Sequence, residues 1–397
     1  MTPPVKVEPD LEFIRNVKRL GGDSLKKCYQ CATCSVVCDL SPEDKPFPRK
    51  EMLWAQWGLK EKLAADPDVW LCFNCGDCTT YCPRGAKPGE VLGAVRASVI
   101  EQYAFPRFMG KLMSRPSGLP ILVGVAVAII FFLVWWTGQR KGLDKWGLNA
   151  PLPNSYASGG YEGGFFGNFL EHGPVEMIFI GGNMLIFAFI ALSMWRFWND
   201  MKKAYGPASG PAFVPCLIET VKEIVFHKDF KSCTTNKIRF WAHMFVFVGF
   251  FAAMATAGLA LFDMVVLDHQ PPIPFFNPIK ILGNLSFLLL MAGTLILIFR
   301  RLGNKEEAGQ SSYFDWVFLI TLFIVGLTGG LTQVGRQVGD HLLALSYAIY
   351  FIHITAVFCL LWYMPYSKFA HMFYRTLGLV FAKSVGRSRM NPDVKNS

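Results

Sequence analysis

The sequence predicts an all-α protein in two parts: a cysteine-bearing helical domain over residues 1–118, then a six-helix transmembrane bundle over residues 119–397. Three observations predict it. Of the 397 residues 52% are hydrophobic and only 17% are charged, against about 25% charge in an average soluble protein. Eight of the eleven cysteines lie before residue 83, whereas the long apolar runs begin at Leu119. From there on, six runs approach the roughly 20 apolar residues that a membrane-spanning helix needs.

The first ten residues are polar and proline-rich. They lack the basic start, apolar middle and small-residue cleavage site of a signal peptide, so the first part is expected to stay on the cytoplasmic side. Two cysteine runs follow: Cys28-Tyr-Gln-Cys31-Ala-Thr-Cys34-Ser-Val-Val-Cys38 and Cys72-Phe-Asn-Cys75-Gly-Asp-Cys78-Thr-Thr-Tyr-Cys82-Pro83. Both read C-x2-C-x2-C-x3-C, and the second carries the trailing proline. This spacing lets three thiolates of one tight loop wrap a [4Fe–4S] cubane, while the fourth serves the other cluster of a two-cluster ferredoxin. One cluster is therefore expected on Cys28, Cys31, Cys34 and Cys82, the other on Cys72, Cys75, Cys78 and Cys38. Zinc favours pairs of C-x2-C without the x3-C-P tail, and disulfides are rare in a reducing compartment. Cys216, Cys233 and Cys359 belong to no motif and read as small apolar residues.

Between the runs, Pro48–Leu63 shows helical spacing of Met52, Leu53, Leu59 and Leu63, and a second helix is expected after Pro88, from Gly89 to Tyr103. The 33 residues between Cys38 and Cys72 exceed a minimal spacer and point to an α-helical ferredoxin. Two such clusters form an electron wire.

The membrane spans are expected at Leu119–Trp136, Val175–Trp198, Phe240–Phe262, Ile279–Phe299, Phe314–Leu331 and Leu342–Met364. With the cysteine domain inside, the inner connectors carry sixteen lysines and arginines and the outer ones five. That bias places both termini in the cytoplasm, and it accounts for much of the net charge of +10 without invoking nucleic acid. The outer connector 137–174 is rich in Gly, Pro and Asn and reads as irregular surface. In the inner connector, Ala212–Lys231 has the spacing of an amphipathic helix, lying on the membrane surface or against its own chain.

An ionisable residue within a span is costly and marks function. His353 sits in the sixth span, and His371 follows 18 residues later; on one continuous helix the two imidazoles would share a face, about 27 Å apart. His243, at the inner start of the third span, is level with His371, and the two could hold one b-type haem near the cytoplasmic side. His353 would need an outer partner: His172 is the candidate, with His269 and His341 behind it. His227 reads as a solvated or packing residue. Glu171, Glu176, Asp263, Lys280 and Arg336 lie near the outer mouths, where a quinone head group would bind.

The first half resembles the C subunit of heterodisulfide reductase, through both cysteine runs, Pro48-Arg-Lys-Glu-Met52 to Gly58-Leu59, Val69-Trp-Leu-Cys72 and Cys82-Pro-Arg-Gly85. The second half resembles the gamma subunit of respiratory nitrate reductase, whose His-x11-Pro-x5-His corresponds to His353, Pro365 and His371. That resemblance implies that the six-helix bundle read from the apolar runs is a cytochrome b, with His243 and His371 on the inner haem and His353 on an outer one. At the family's second outer position this chain has Ala253, and its first span has no counterpart there. The fusion of the two halves resembles the C subunits of the quinone-interacting membrane-bound oxidoreductase (Qmo) complex of sulfate-reducing bacteria. This implies one or two haems b, two [4Fe–4S] clusters, menaquinone as substrate, the flavin/iron–sulfur A and B subunits as partners, and electrons destined for adenylylsulfate reductase at the bacterial inner membrane. A heterodisulfide-reductase-type C/E fusion with another soluble partner, or a plain membrane anchor for a ferredoxin domain, are the alternatives. The chain carries no flavin fingerprint, CCG doublet or nucleophile–base set, so no chemistry beyond the quinone is expected.

Overall fold

The computed structural model describes residues 8–41, 45–141, 166, 169–170, 172–206, 210–227, 237–269, 273–303, 312–338 and 342–387, and no strand occurs among them. Helix α1 (Leu11–Arg19) starts where the Asp10 carboxylate accepts the Phe13 N–H at 2.8 Å, satisfying one of the orphan donors of a helix start. Two one-turn helices, α2 (Thr33–Val36) and α5 (Asp77–Thr80), carry the third cysteine of each run. The single helix expected over residues 48–63 is instead two, α3 (Arg49–Gln56) and α4 (Lys60–Ala64). Gly58 breaks it with a left-handed φ of 68°. Its carbonyl accepts the Asp10 N–H at 3.1 Å, and a Cβ there would lie 2.8 Å from the Asp10 backbone, so this crossing requires glycine. Helix α6 (Pro88–Tyr103) buries Val91, Leu92, Val95, Val99 and Ile100 through the middle of the domain, and α7 (Arg107–Met113) leads to the membrane half.

Six helices are long and apolar enough to cross a membrane, and the chain is a multi-pass membrane protein. They are α8 (Leu119–Lys141); α9 (His172–Glu176), continued through a π-helical turn into α10 (Gly182–Tyr205); α12 (Lys237–Val265); α13 (Pro278–Gly303); α14 (Tyr313–Val338); and α15 (Leu343–Trp362). Met184, Trp195, Phe251 and Leu259 point outward, exposed, as side chains do where lipid takes the place of water. Where α12 meets α13, added Cβ atoms at Gly249 and Gly293 would lie 2.9 Å from the Leu290 N and 2.8 Å from the Ala242 O. Small residues let the two backbones approach, which is how helices associate without a hydrophobic drive.

Two expectations need comment. The amphipathic stretch is α11 (Phe213–Phe226), with Cys216 and Thr220 buried; its expected continuation past residue 227 lies outside the described residues, as do Cys233 and most of the connector 137–174. The continuous helix through His353 and His371 is a correction. Helix α15 ends at Trp362, short 3-10 turns cover Met364–Tyr366 and Lys368–Ala370, and a new helix α16 (His371–Ser384) begins at His371 itself. Pro365 has no N–H to continue the ladder and its ring clashes with the preceding turn; the Ser367 hydroxyl then accepts the Phe369 N–H at 3.2 Å. The 27 Å straight-helix separation therefore does not apply.

The two halves are joined by buried aromatic and ionic contacts. Trp70 is 1% exposed, stacks on Tyr374 of α16 at 5.3 Å and meets Phe197 of α10 edge-on at 6.3 Å. The Tyr366 hydroxyl donates to the Phe105 carbonyl at 2.7 Å. Beside them lie three fully buried carboxylates, Glu51, Asp66 and Asp68. The Lys50 ammonium sits among them at 3.2, 3.0 and 2.7 Å, Tyr205 of α10 donates to Asp66 at 2.5 Å, and Arg387 pairs with Asp68. Ligand atoms of the three acids lie within 4.8 Å of one another, but Lys50 is already the cation of this cluster.

Three acids against two cations leave one buried negative charge in excess. Burial, and then the neighbouring Asp66, raise both Glu51 and Asp68, the latter to about 6. A carboxyl raised in the folded state holds its proton better there than when unfolded. Its stabilisation is complete below the unfolded value near 4 and is lost as pH rises through about 6 and above. Glu51→Gln should therefore raise the thermal midpoint at pH 8 and flatten its decline between pH 6 and 8. A stabilisation of about 1–2 kcal/mol is expected, and a scanning-fluorimetry series in which the variant falls below wild type at pH 8 would refute this account.

Candidate functional site

The two cysteine loops fold alike. In the first, Gln30 and Ala32 have positive φ of 61° and 68°; in the second, Asn74 and Gly76 have 54° and 103°. These are the second and fourth residues after the leading cysteine of each run. Left-handed residues at both places curl the chain so that its N–H groups face inward, a concavity suited to an anionic cluster. The Asn74 N–H points to the Cys72 Sγ at 3.1 Å and the Ala86 N–H to the Cys82 Sγ at 3.3 Å. The Gln30 side chain donates to the Cys28 Sγ at 3.4 Å, and the Thr33 hydroxyl lies 3.4 Å from the Cys31 Sγ.

Each cavity takes three cysteines from one run and the fourth from the other. One is lined by Cys28, Cys31, Cys34 and Cys82, with Arg49 and Arg84 at its wall. The other is lined by Cys72, Cys75, Cys78 and Cys38. All eight are free thiols, and Cys31 alone among them is exposed. Burial and adjoining thiols raise Cys34 to about 11, and burial raises Cys38 to about 12 and Cys78 further; Thr33 lowers Cys31. Four thiolates cannot gather in such a pocket without a cation, and iron supplies that charge when a cluster is bound. The donor set fits a [4Fe–4S] group at each place.

The membrane histidines share one chemical feature. His371 Nδ1–H donates to the Lys368 carbonyl at 2.6 Å. The Thr328 hydroxyl spends its proton on the Ile324 carbonyl at 2.6 Å, so at 3.0 Å it can only accept from His353 Nδ1–H. His227 lies just past α11, with Nδ1 3.3 Å from the Val225 carbonyl and Nε2 3.2 Å from His243 Nδ1. Burial lowers His227, which is thus neutral, and burial lowers His371 to about 4. A neutral His227 that donates from Nδ1 must accept at Nε2, so His243 also carries its proton on Nδ1. In all three the hydrogen-bond network assigns the tautomer whose Nε2 lone pair ligates metal, with the other nitrogen held in place. His243 lies within electrostatic reach of His371. Facing His353 is Gly329, where a Cβ would come 3.1 Å from the imidazole. This donor set fits bis-histidine haem ligation.

The remaining candidates are less engaged. His269 is exposed and pairs with Asp263 at 2.9 Å. His172 opens α9, and its side chain, that of Arg336, and all of Glu171 and His341 lie outside the described residues. Lys280 and Glu176 sit near the ends of α13 and α9. Sequence reasoning set His227 aside, because its bond to His243 depends on how α11 folds back and no spacing announces it. It likewise passed over Arg96, Arg239 and Arg375, which grip the second cysteine loop: Arg96 donates to the carbonyls of Val69 and Cys72, both at 2.7 Å.

Two family models match the chain. A 4Fe-4S dicluster domain matches residues 24–86, and the Citrate utilization protein B family matches residues 162–393. Citrate utilization protein B of Escherichia coli is 26% identical over 326 residues, covering 78% of this chain and 80% of that protein. A protein of Archaeoglobus profundus similar to the C subunit of heterodisulfide reductase is 37% identical over 89 residues, 22% of this chain and 47% of that one; the match thus spans about half the length of this relative. The E subunit of the dihydromethanophenazine:CoB–CoM heterodisulfide reductase of Methanosarcina thermophila is 27% identical over 283 residues, 68% and 93% of the two chains. No solved structure matches. Parts similar to the C and E subunits of heterodisulfide reductase, joined in one chain, amount to membrane electron transfer through an iron–sulfur domain. With that domain at its front and the family's pattern over more than half its length, the chain belongs to the Citrate utilization protein B family.

Proposed function

We propose that the chain exchanges electrons between a quinone in the membrane and a soluble flavin/iron–sulfur partner in the cytoplasm, by way of haem b and two [4Fe–4S] clusters. The observation that carries this reading is the shared tautomer of His243, His353 and His371, each with its Nδ1 proton donated. Haem would supply one-electron chemistry between the two-electron quinone and the one-electron clusters. The chain's own part is to present neutral imidazoles, to keep the site buried, and to hold eight thiolates in two inward-curled loops. The clusters are proposed on Cys28, Cys31, Cys34, Cys82 and on Cys72, Cys75, Cys78, Cys38. The inner haem is proposed on His243 and His371, and the outer one on His353 with His172. The boundary between the halves is placed at residues 118/119, with both termini cytoplasmic in a bacterial inner membrane.

The narrower reading takes menaquinol as donor, the A and B subunits of a Qmo-type complex as partners, and adenylylsulfate reductase downstream. It is supported by the fused arrangement, and affinity purification from the host membrane tests it: a co-purifying flavoprotein is expected, and a chain that purifies alone would remove it. The broader reading is tested on the isolated protein. A pyridine haemochrome with about one to two haems b per chain and about eight irons in clusters is expected; full iron without haem would leave only a membrane-anchored ferredoxin.

A further inference from the structure

We infer that the cluster of Cys38, Cys72, Cys75 and Cys78 is the one that exchanges electrons with the inner haem, and that Arg239 and Arg375 couple it to the haem-ligand helices and raise its potential. The haem half of this statement rests on the proposed function; the arginine half does not.

The argument begins with helix register. Arg239 precedes His243 by four residues on α12, and Arg375 follows His371 by four on α16. Residues four apart share a helix face, one turn or roughly 6 Å along the axis. Each proposed inner-haem ligand thus has an arginine one turn away. Both arginines reach the same short stretch of the other half. Arg375 donates from Nη1 to the carbonyls of Trp70 at 2.8 Å and Cys72 at 2.9 Å, and from Nη2 to that of Leu71 at 3.4 Å. Its guanidinium stacks 4.0 Å from the ring of Phe73. Arg239 donates to the carbonyls of Phe73, at 3.2 Å, and Asn74, and its charge is within electrostatic reach of the Cys72 and Cys75 thiols. Among the described residues, hydrogen bonds at the other cysteine loop come from its own half, such as Gln56 to the Cys28 carbonyl at 2.8 Å. That loop carries the exposed Cys31 and Tyr29, and Tyr81, beside its fourth ligand Cys82, is exposed as well, so this cluster site is the outer of the two.

The electrostatics follow from electron count. An electron delivered to a [4Fe–4S] group held by Cys38, Cys72, Cys75 and Cys78, from a one-electron donor such as a haem held by His243 and His371, would add one negative charge to this site. Fixed cations in a buried site stabilise that added charge, and charge and hydrogen bonding around the cluster set its potential. Two guanidiniums from the membrane helices therefore favour the reduced state of this cluster.

The test is a dithionite titration of the purified full chain followed by electron paramagnetic resonance. The two cluster signals are assigned by their loss in Cys75→Ser and in Cys31→Ser. Arg375→Gln and Arg239→Gln should each make reduction of the Cys75-dependent cluster about tenfold less favourable, a drop of about 59 mV for one electron, and leave the Cys31-dependent cluster in place. Arg375→Lys keeps the charge, is the milder change for folding, and should recover most of the drop. An unchanged Cys75-dependent cluster, or an equal shift of both, overturns the arginine assignment. Rapid-mixing of the haem-reduced protein tests the order: Cys31→Ser should still oxidise its haem into the remaining cluster, and Cys75→Ser should not. The reverse result overturns the order. A wild-type chain without haem would defeat the proposed function, while the titration would still decide the role of the arginines.

Discussion

Cys38→Ser and Cys78→Ser should each empty the same iron–sulfur site, halving iron and acid-labile sulfide from about eight to about four per chain. The reason is the exchange of fourth ligands: Cys38, from the first run, lines the cavity of Cys72, Cys75 and Cys78, and Cys82 lines that of the first run. The double variant Cys38→Ser/Cys78→Ser should lose no more than either single one. Cys38→Ser/Cys34→Ser, although both changes lie in one run, should lose both clusters. Were ligand sets confined to single runs, the two doubles would trade outcomes, so iron analysis on four proteins decides between them. The loss should also destabilise the domain, since iron neutralises thiols packed into one pocket, and a lower thermal midpoint should accompany the lower iron.

His243→Ala and His371→Ala should each abolish one haem, and the same one, with the double variant losing no further haem. His243 is set by the backbone of α12 and the His227 bond at 3.2 Å, His371 by the Lys368 carbonyl at 2.6 Å. Removing either would leave a haem held there with one histidine ligand, so the low-spin spectrum expected of bis-histidine ligation should be lost. His353→Ala should affect a different haem or none of the inner one. Haem content by pyridine haemochrome and low-spin resonance lines read both effects; full inner haem in either His243→Ala or His371→Ala would sink the pairing. His227→Ala should retain haem and change its low-spin signature, because the hydrogen-bond partner of a ligating imidazole tunes its basicity.

The legible part of this protein was the part written in local spacing. Cysteines at intervals of three and four residues gather around one loop whatever the rest of the chain does. Apolar runs of about twenty residues become spans because bilayer thickness selects for that length. Pro365 was legible too, as an end to the helix, yet a periodicity of eighteen residues suggested continuity across it. A missing N–H outweighs a pattern of spacing.

What stayed hidden were contacts between residues far apart in the chain. Arg375 and Cys72 are separated by 303 residues, and Tyr205 and Asp66 by 139; an arginine outside the apolar runs looks the same whether it meets solvent or a carbonyl. His227 read as a solvated or packing residue; it is buried, but nothing in Ala212–Lys231 announces that it meets His243 of α12. The all-α class, the apolar segments and the two cysteine runs could be read from the residues alone, since these depend on residue type and short spacing. Which proton each histidine carries, which cysteine loop the membrane helices grip, and where a buried acid cluster joins the halves came from packing. Those depend on which hydrogen-bond donors and acceptors packing brings within about 3 Å of each other.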